Sequence, residues 1–264
     1  MYKRQLFAEG MTIIERATGW QGVGILPWFP QARFLPAEDI LDIRGKSGDA
    51  RDGAPVRIAV PVLRRIANFD DLDPLAGETD VDVTLVEAGD VIPADADLIL
   101  LPGSKSTISD LTFLRDQGWD IDIAAHLRRG GMVMGLCGGY QMLGTRLDDP
   151  DGVEGPAGDT PGLGHLGVET VLAGDKRLTQ VTAHANAFDV PVRGYEIHMG
   201  RTGGPDCDRP FLTLDGRPEG AVSADGAVID SNGNSAQLHD FLGGKPTVLG
   251  FIFTTCDDVN GCPL

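Results

Sequence analysis

Four short apolar runs, Val56–Val60, Val81–Val86, Leu98–Leu101 and Met132–Met134, alternate with segments of helical pattern through the middle of this chain. Each is short and aliphatic enough to be a buried strand rather than a helix. Between the third and fourth, Trp119, Ile123 and Leu127 recur every four residues, which sets them on one face of a helix closed by Gly130-Gly131. His126 is expected on that helix's exposed face. Strand, helix and strand in this order specify a parallel sheet and an α/β fold. Val168–Leu172, Leu178–Thr182 and Tyr195–His198 read as later strands added antiparallel.

The two ends of the chain have a different texture. Met11–Ala17 has a helical pattern, Gly19–Pro27 reads as a short strand running into a turn, and Asp42–Gly53 reads as an exposed linker. At the other end an apolar strand, Thr247–Phe253, leads to Cys256 and Cys262. With 22 Lys+Arg against 39 Asp+Glu the formal charge is −17. Such a chain repels phosphate backbones and carries no basic stripe, which excludes a nucleic-acid partner. Its longest apolar stretches fall far below the ~20 residues of a membrane span. Met1–Gln5 is too short and polar to begin a secretory signal. The expected compartment is the cytoplasm, with the four cysteines reduced.

The chemistry concentrates where the fourth strand ends. Gly135-Leu136-Cys137-Gly138-Gly139 precedes a helical segment through Tyr140–Leu143, a strand, sharp turn and helix with glycine on both sides of one cysteine. That arrangement holds a nucleophile in a strained backbone position. Cys137 is the candidate nucleophile, and a helix N-terminus beside it is expected to lower its pKa. The alternative is a buried cysteine in a glycine-rich turn. A thiolate attacking a carbonyl needs backbone N–H donors for the oxyanion. Leu101–Thr107 ends the neighbouring strand, so the N–H groups of Gly103 and Gly138 are the candidates. The same segment also fits a plain strand-to-helix connection with Ser104 or Ser106 as N-cap. Its spacing is not that of a phosphate-binding loop.

A cysteine nucleophile needs a base. Of the five histidines, His198 stands out in Gly194–Thr202, where Tyr195, Glu196, His198 and Arg201 fall within a few residues. Strand alternation sets Glu196 and His198 on one face. A polar cluster at a sheet edge, without chemistry, explains the same residues. His165 and His184 have no evident partner residues, and His239 lies in the C-terminal stretch.

Five blocks, Asn68–Leu75, Leu101–Thr107, Gly135–Gly144, Asp149–Gly155 and Gly194–Thr202, together resemble the class I, Cys-type glutamine amidotransferase domain of the cobyric acid synthase family. The resemblance covers Pro55 to about Gly226. It implies an α/β, flavodoxin-like, mostly parallel sheet with helices on both faces. It implies that Cys137 attacks the side-chain carbonyl of glutamine and releases ammonia. Gly103 and Gly138 would form the oxyanion hole, and Gln141, Tyr195 and His198 would bind the substrate. The ammonia would amidate carboxylates of a corrinoid, after ATP and Mg activate them on a separate N-terminal domain. The amidotransferase domain itself would bind no cofactor.

Three regions follow from this reading. Residues 1–53 resemble the last helix and strand of the ATP-binding domain plus a connector, with Met1–Gln5 matching nothing in the family. Residues 54–228 are the amidotransferase domain. Residues 229–264 resemble the start of a Sco/SenC-type thioredoxin-like protein, with Gly244-Lys245-Pro246 before the strand and Cys256 and Cys262 after it, as if two unrelated sequences had been joined. In the family a Tyr-Leu-His-Gly segment after residue 226 supplies the catalytic base. Here Ile229–Asn234 follows instead, and the Leu-His-Asp-Phe context of His239 fits the thioredoxin-like reading. Without that imidazole, turnover is expected to fall by roughly 10²–10⁴. Three functions therefore stay open: an amidotransferase domain, a fragment that binds glutamine without turning it over, and a thiol or Cu(I) protein built on Cys256 and Cys262. A cysteine hydrolase of the same fold that does not use glutamine is a fourth.

Overall fold

The computed structural model describes residues 2–24, 56–67, 69–173, 177–186 and 190–224, the side chains of 2–9, 69–70, 177–179, 190 and 192–198 excepted. Residues 1–37 and 38–264 form two units. In the first, helix α1 spans Tyr2–Thr18 and contains the expected Met11–Ala17. It stops because Gly19, with φ +72°, turns its N–H back to Glu15 O. Residues 19–24 carry no strand, contrary to expectation. Residues 25–27 and the expected linker at 42–53 lie outside the described residues.

In the second unit the four apolar runs form one parallel sheet. Strands β1 (Val56–Pro61), β3 (Val81–Val86), β4 (Leu98–Leu101) and β6 (Met132–Gly135) lie in the order β3-β1-β4-β6. Every neighbouring pair is parallel, with Val56 opposite Val81, Ile58 opposite Leu98 and Leu101 opposite Gly135. Strand alternation divides the side chains between two cores. On one face Val56, Ile58, Val60, Leu98, Leu100 and Met132 pack with Leu72 and Leu75, which belong to a 3-10 turn at Phe69–Leu72 and to helix α2 (Asp73–Gly77). On the other, Ala59, Ile99, Leu101 and Val133 pack with Leu111, Leu114, Trp119 and Ile123 from α3 (Thr107–Asp116) and α4 (Trp119–Arg128). Both faces are covered by helices, as the α/β reading requires.

Helix α4 ends as expected, at Gly130 with φ +85°. His126, however, is buried, with 2% of its surface exposed. Positions 119, 123 and 126 follow the i, i+4, i+7 spacing of a single stripe, and helical geometry outweighs the polarity of the ring. Its Nε2–H donates to Met132 O at 2.9 Å, tying the helix to the strand that follows. Burial pushes the imidazole pKa below its ordinary 6.5, and nearby Arg129 pushes the same way. The unfolded chain therefore takes up a proton that the folded chain refuses. Stability is full above about pH 6.5 and falls as the pH drops below it, at up to about 1.4 kcal/mol per pH unit for one group. Burial acts in the same direction on His165. Denaturant unfolding at about pH 7.5 and 5.5 should show this loss, and His126→Gln should shrink it. An equal loss in the variant would exclude His126 as its source.

Among the described residues the unit holds two further four-stranded sheets, besides a two-stranded pair at the site. In one, β10 (Arg177–Ala185), β11 (Val190–His198), β13 (Leu212–Leu214) and β14 (Arg217–Glu219) are antiparallel throughout. In the other, β9 (Glu169–Val171) runs antiparallel to β12 (Arg201–Gly203) but parallel to β7 (Arg146–Asp149), which corrects the expectation that all the later strands are antiparallel. Strand β8 (Gly158–Pro161) closes its edge. Among the described residues no helix is long and apolar enough to cross a membrane.

Candidate active site

The carboxyl ends of β4 and β6 build the site. Past Gly135, the Leu136 N–H extends the ladder to Leu101 O at 2.9 Å. The backbone then turns at Cys137 with φ +47° and ψ −109°, a conformation that costs a residue with a Cβ of order 1–3 kcal/mol. It passes directly into α5 (Gly138–Leu143). Glycine is required because α5 begins in contact with β4: a Cβ on Gly139 would lie 2.7 Å from Leu101 C and 2.8 Å from Pro102 O. A Cβ on Gly138 would lie 3.0 Å from Ser104 N. The strand, turn and helix expected around Cys137 are all present.

Cys137 is buried, with 7% of the residue's surface exposed. Burial pushes its pKa up to about 12, the Gly138 N–H opposes this in part, and the Asp71 and Glu154 carboxylates add to it. This corrects the expectation of a lowered pKa. Helix α5 has only six residues, too short a dipole to offset the lost hydration. The resting sulfur is therefore a protonated thiol at neutral pH and needs a base before it can attack.

Beside it, β5 (Gly103–Ser104) pairs antiparallel with β2 (Ile66–Ala67). A Cβ on Gly103 would sit 3.8 Å from Cys137 Cβ, so this backbone borders the nucleophile. Neither Ser104 nor Ser106 caps α3 through its side chain. Ser106 occupies the N-cap position without a side-chain bond. The Ser104 hydroxyl instead accepts the Ser106 N–H at 2.9 Å and donates to Asp110 Oδ2 at 2.7 Å. The helix start is held by Glu154, whose Oε2 accepts the Ile108 N–H at 2.9 Å. Glu154 is itself placed by Asp149, whose buried carboxylate accepts the N–H groups of Val153 and Glu154 at 2.7 and 2.9 Å.

Cys137 and Gln141 line two cavities at once. One, of about 220 Å³, is bordered by Arg65, Lys105, Thr107, Glu154 and Met199. The other, of about 390 Å³, is bordered by Tyr140, Arg201, Cys207, Arg217 and Glu219. The Gln141 amide bridges them, donating to Met199 O at 3.0 Å and accepting from the Thr107 hydroxyl at 3.4 Å. Gly103, Gly138, Gln141 and Cys137, singled out in the sequence, are thus brought together. Tyr195 and His198 lie on β11 with their backbones opposite Gln180 and Arg177. Their side chains, with that of Glu196, lie outside the described residues, as do His239, Cys256, Cys262 and all of 225–264. His126 is committed to Met132. Among the described residues lining the two cavities none is a histidine. Cys207 is a free thiol that accepts a hydrogen bond from the Tyr140 hydroxyl, whose pKa burial raises.

Sequence reading missed Asp110, Asp149, Glu154, Arg65 and Lys105. Asp149 and Glu154 fall in a block that carried the resemblance, yet had no assigned role. Asp110 had one signal: it precedes Leu111 in the first turns of a helix whose apolar stripe it interrupts.

Comparison with known proteins gives a consistent result. The CobB/CobQ-like glutamine amidotransferase domain matches residues 57–240. That stretch runs past residue 228 and takes in His239. The cobyric acid synthase of Bradyrhizobium diazoefficiens is 58% identical over 226 residues, 86% of this chain and 46% of that protein. That of Rhodobacter capsulatus is 60% identical over 238 residues, 90% of this chain and 48% of that protein. The chain spans about half the length of these curated relatives. Among solved structures, PurLQS from Thermotoga maritima superposes with a TM-score of 0.50 at 21% identity, covering 65% of this chain and 84% of that one, a likeness of fold.

Proposed function

Because the chain belongs to the CobB/CobQ-like glutamine amidotransferase family, we propose that residues 54–228 hydrolyse glutamine to glutamate and ammonia through Cys137. The observation that carries this reading is the strained Cys137 turn opening on a 220 Å³ cavity of mixed charge. Arg65 and Lys105 suit the α-carboxylate of a free amino acid and Glu154 its ammonium group. In the proposed reaction a base takes the thiol proton and Sγ bonds to the side-chain amide carbon. The negative oxygen is received by the N–H groups of Gly103 and Gly138. The C–N bond then breaks, ammonia leaves with the added proton, and water hydrolyses the glutamyl thioester. Gln141, Tyr195 and His198 contact the substrate in this scheme.

The ammonia would amidate corrinoid carboxylates, in line with the name of the relatives. ATP and Mg would act only outside residues 54–228. The Lys105 and Ser106 N–H groups are already bonded, to Arg65 O and to the Ser104 hydroxyl, and no step above runs through ATP or Mg.

The test is ammonia release from glutamine by the whole chain, with His198→Ala and His239→Ala beside the parent. Release that falls by about 10²–10⁴ in one variant whose glutamine binding is unchanged identifies that histidine as the base, whereas a fall that follows weakened binding marks a substrate contact. Glutamine binding without release by the parent would select the binding-only reading. Neither binding nor release would overturn the proposal.

A further inference from the structure

Asp110 is a carboxylate with none of its surface exposed, in a helix whose own N–H groups it does not cap. It lies in the first turn of α3, two residues beyond Ile108, whose N–H is the one that Glu154 accepts. Its side chain reaches back across the loop instead. Both oxygens accept the Arg65 N–H, at 3.2 and 3.1 Å, and Oδ2 also accepts the Ser104 hydroxyl at 2.7 Å. Arg65 O in turn accepts the Lys105 N–H at 2.8 Å. One carboxylate therefore holds both the residue that leads into β2 and the second residue of β5. Burying a carboxylate is costly unless its lone pairs are satisfied, and an apolar residue would fill this place in α3 at no such cost. What the carboxylate supplies is a fixed position for Ser104, the residue after Gly103. Ser104 N and Cβ lie against Gly138, 3.0 and 3.1 Å from where a Cβ would be.

We infer that Asp110 is a positioning residue for glutamine hydrolysis, holding the Gly103–Ser106 backbone through Ser104 and Arg65 so that the oxyanion donors stand at the Cys137 sulfur. This rests on the glutamine-hydrolysing reading above. An asparagine there keeps the shape but sets an NH2 donor where Oδ1 or Oδ2 stood, facing the Arg65 N–H or the Ser104 hydroxyl, and it removes the negative charge that strengthens both bonds. Displaced oxyanion donors slow only those reactions that develop or hold negative charge on a carbonyl oxygen.

Two reagents separate this effect from damage to the thiol or the fold. The chloromethyl ketone analogue of glutamine binds with its ketone oxygen in the place of the amide oxygen. Iodoacetamide uses no such site. In each case the sulfur bonds to a methylene carbon, halide leaves, and the thiol proton passes to solvent, so labelling of Cys137 is read by mass spectrometry without turnover. In Asp110→Asn and in Ser104→Ala, chloroketone labelling should slow by about 10–100-fold while iodoacetamide labelling stays within about twofold of the parent. If Asp110→Asn does not fold, Ser104→Ala, which cuts the same link, carries the test. Chloroketone labelling within about twofold of the parent, or equal slowing of both reagents, overturns the assignment. A parent chain labelled at Cys137 by iodoacetamide but not by the chloroketone has no glutamine site, which overturns the underlying reading and this one with it.

Discussion

Replacing Cys137 by alanine should abolish ammonia release from glutamine, a fall of about 10⁵-fold or more that brings the rate to background. The covalent route passes through this sulfur, and the other free thiol among the described residues, Cys207, is turned toward Tyr140. Glutamine binding should survive, since Arg65, Lys105, Glu154 and Gln141 border the cavity independently of the sulfur. The variant should fold about as stably as the parent, because alanine keeps the Cβ and the backbone of the turn and gives up only the sulfur that meets the Gly138 N–H. The measurement pairs an ammonia assay with glutamine titration by calorimetry. Release that persists in Cys137→Ala would mean that the nucleophile is elsewhere, whatever the geometry of the turn.

The second large effect is on folding. Gly139→Ala places a methyl group against the Leu101 and Pro102 backbone, and backbone inside a parallel sheet has no rotamer with which to retreat. Overpacking of side chains typically costs 1–3 kcal/mol. Here the obstacle is main chain, so we expect about 3 kcal/mol or more, read as a lower urea midpoint or as failure to accumulate folded protein. The adjacent Gly138→Ala should be milder, since its neighbours at 3.0–3.2 Å include the Ser104 Cβ and the Thr107 hydroxyl, which can shift. Gly138→Ala should instead impair hydrolysis by displacing Ser104. A Gly139→Ala chain as stable as the parent would show that α5 can slide away from β4.

The sheet was legible because its strands are runs of buried aliphatic residues, a pattern that tertiary context rarely overrides. The Cys137 turn was legible because glycines crowd both sides of one reactive residue, and the close approach of α5 to β4 explains them. His126 was misplaced by giving residue polarity more weight than helical spacing. The thiol pKa was misjudged because local sequence reports a helix N-terminus but not the length of that helix or the depth of burial. For Asp110 the neighbours give only the break in an apolar stripe, without a partner. In isolation it is an acid in the first turns of a helix, and only the return of the Arg65 segment 45 positions away gives it a role.

The β4–β6 pairing also sets a dimension. Leu101 is opposite Gly135, and two residues beyond each lie Gly103 and Cys137. The gap between the nucleophile and its neighbouring backbone is therefore gauged by one interstrand spacing, about 4.8 Å. That length is a ruler made of main-chain hydrogen bonds, indifferent to which side chains coat the rest of the molecule. Drift at the surface over evolutionary time can recolour this protein extensively while leaving the calibration of its reactive gap untouched.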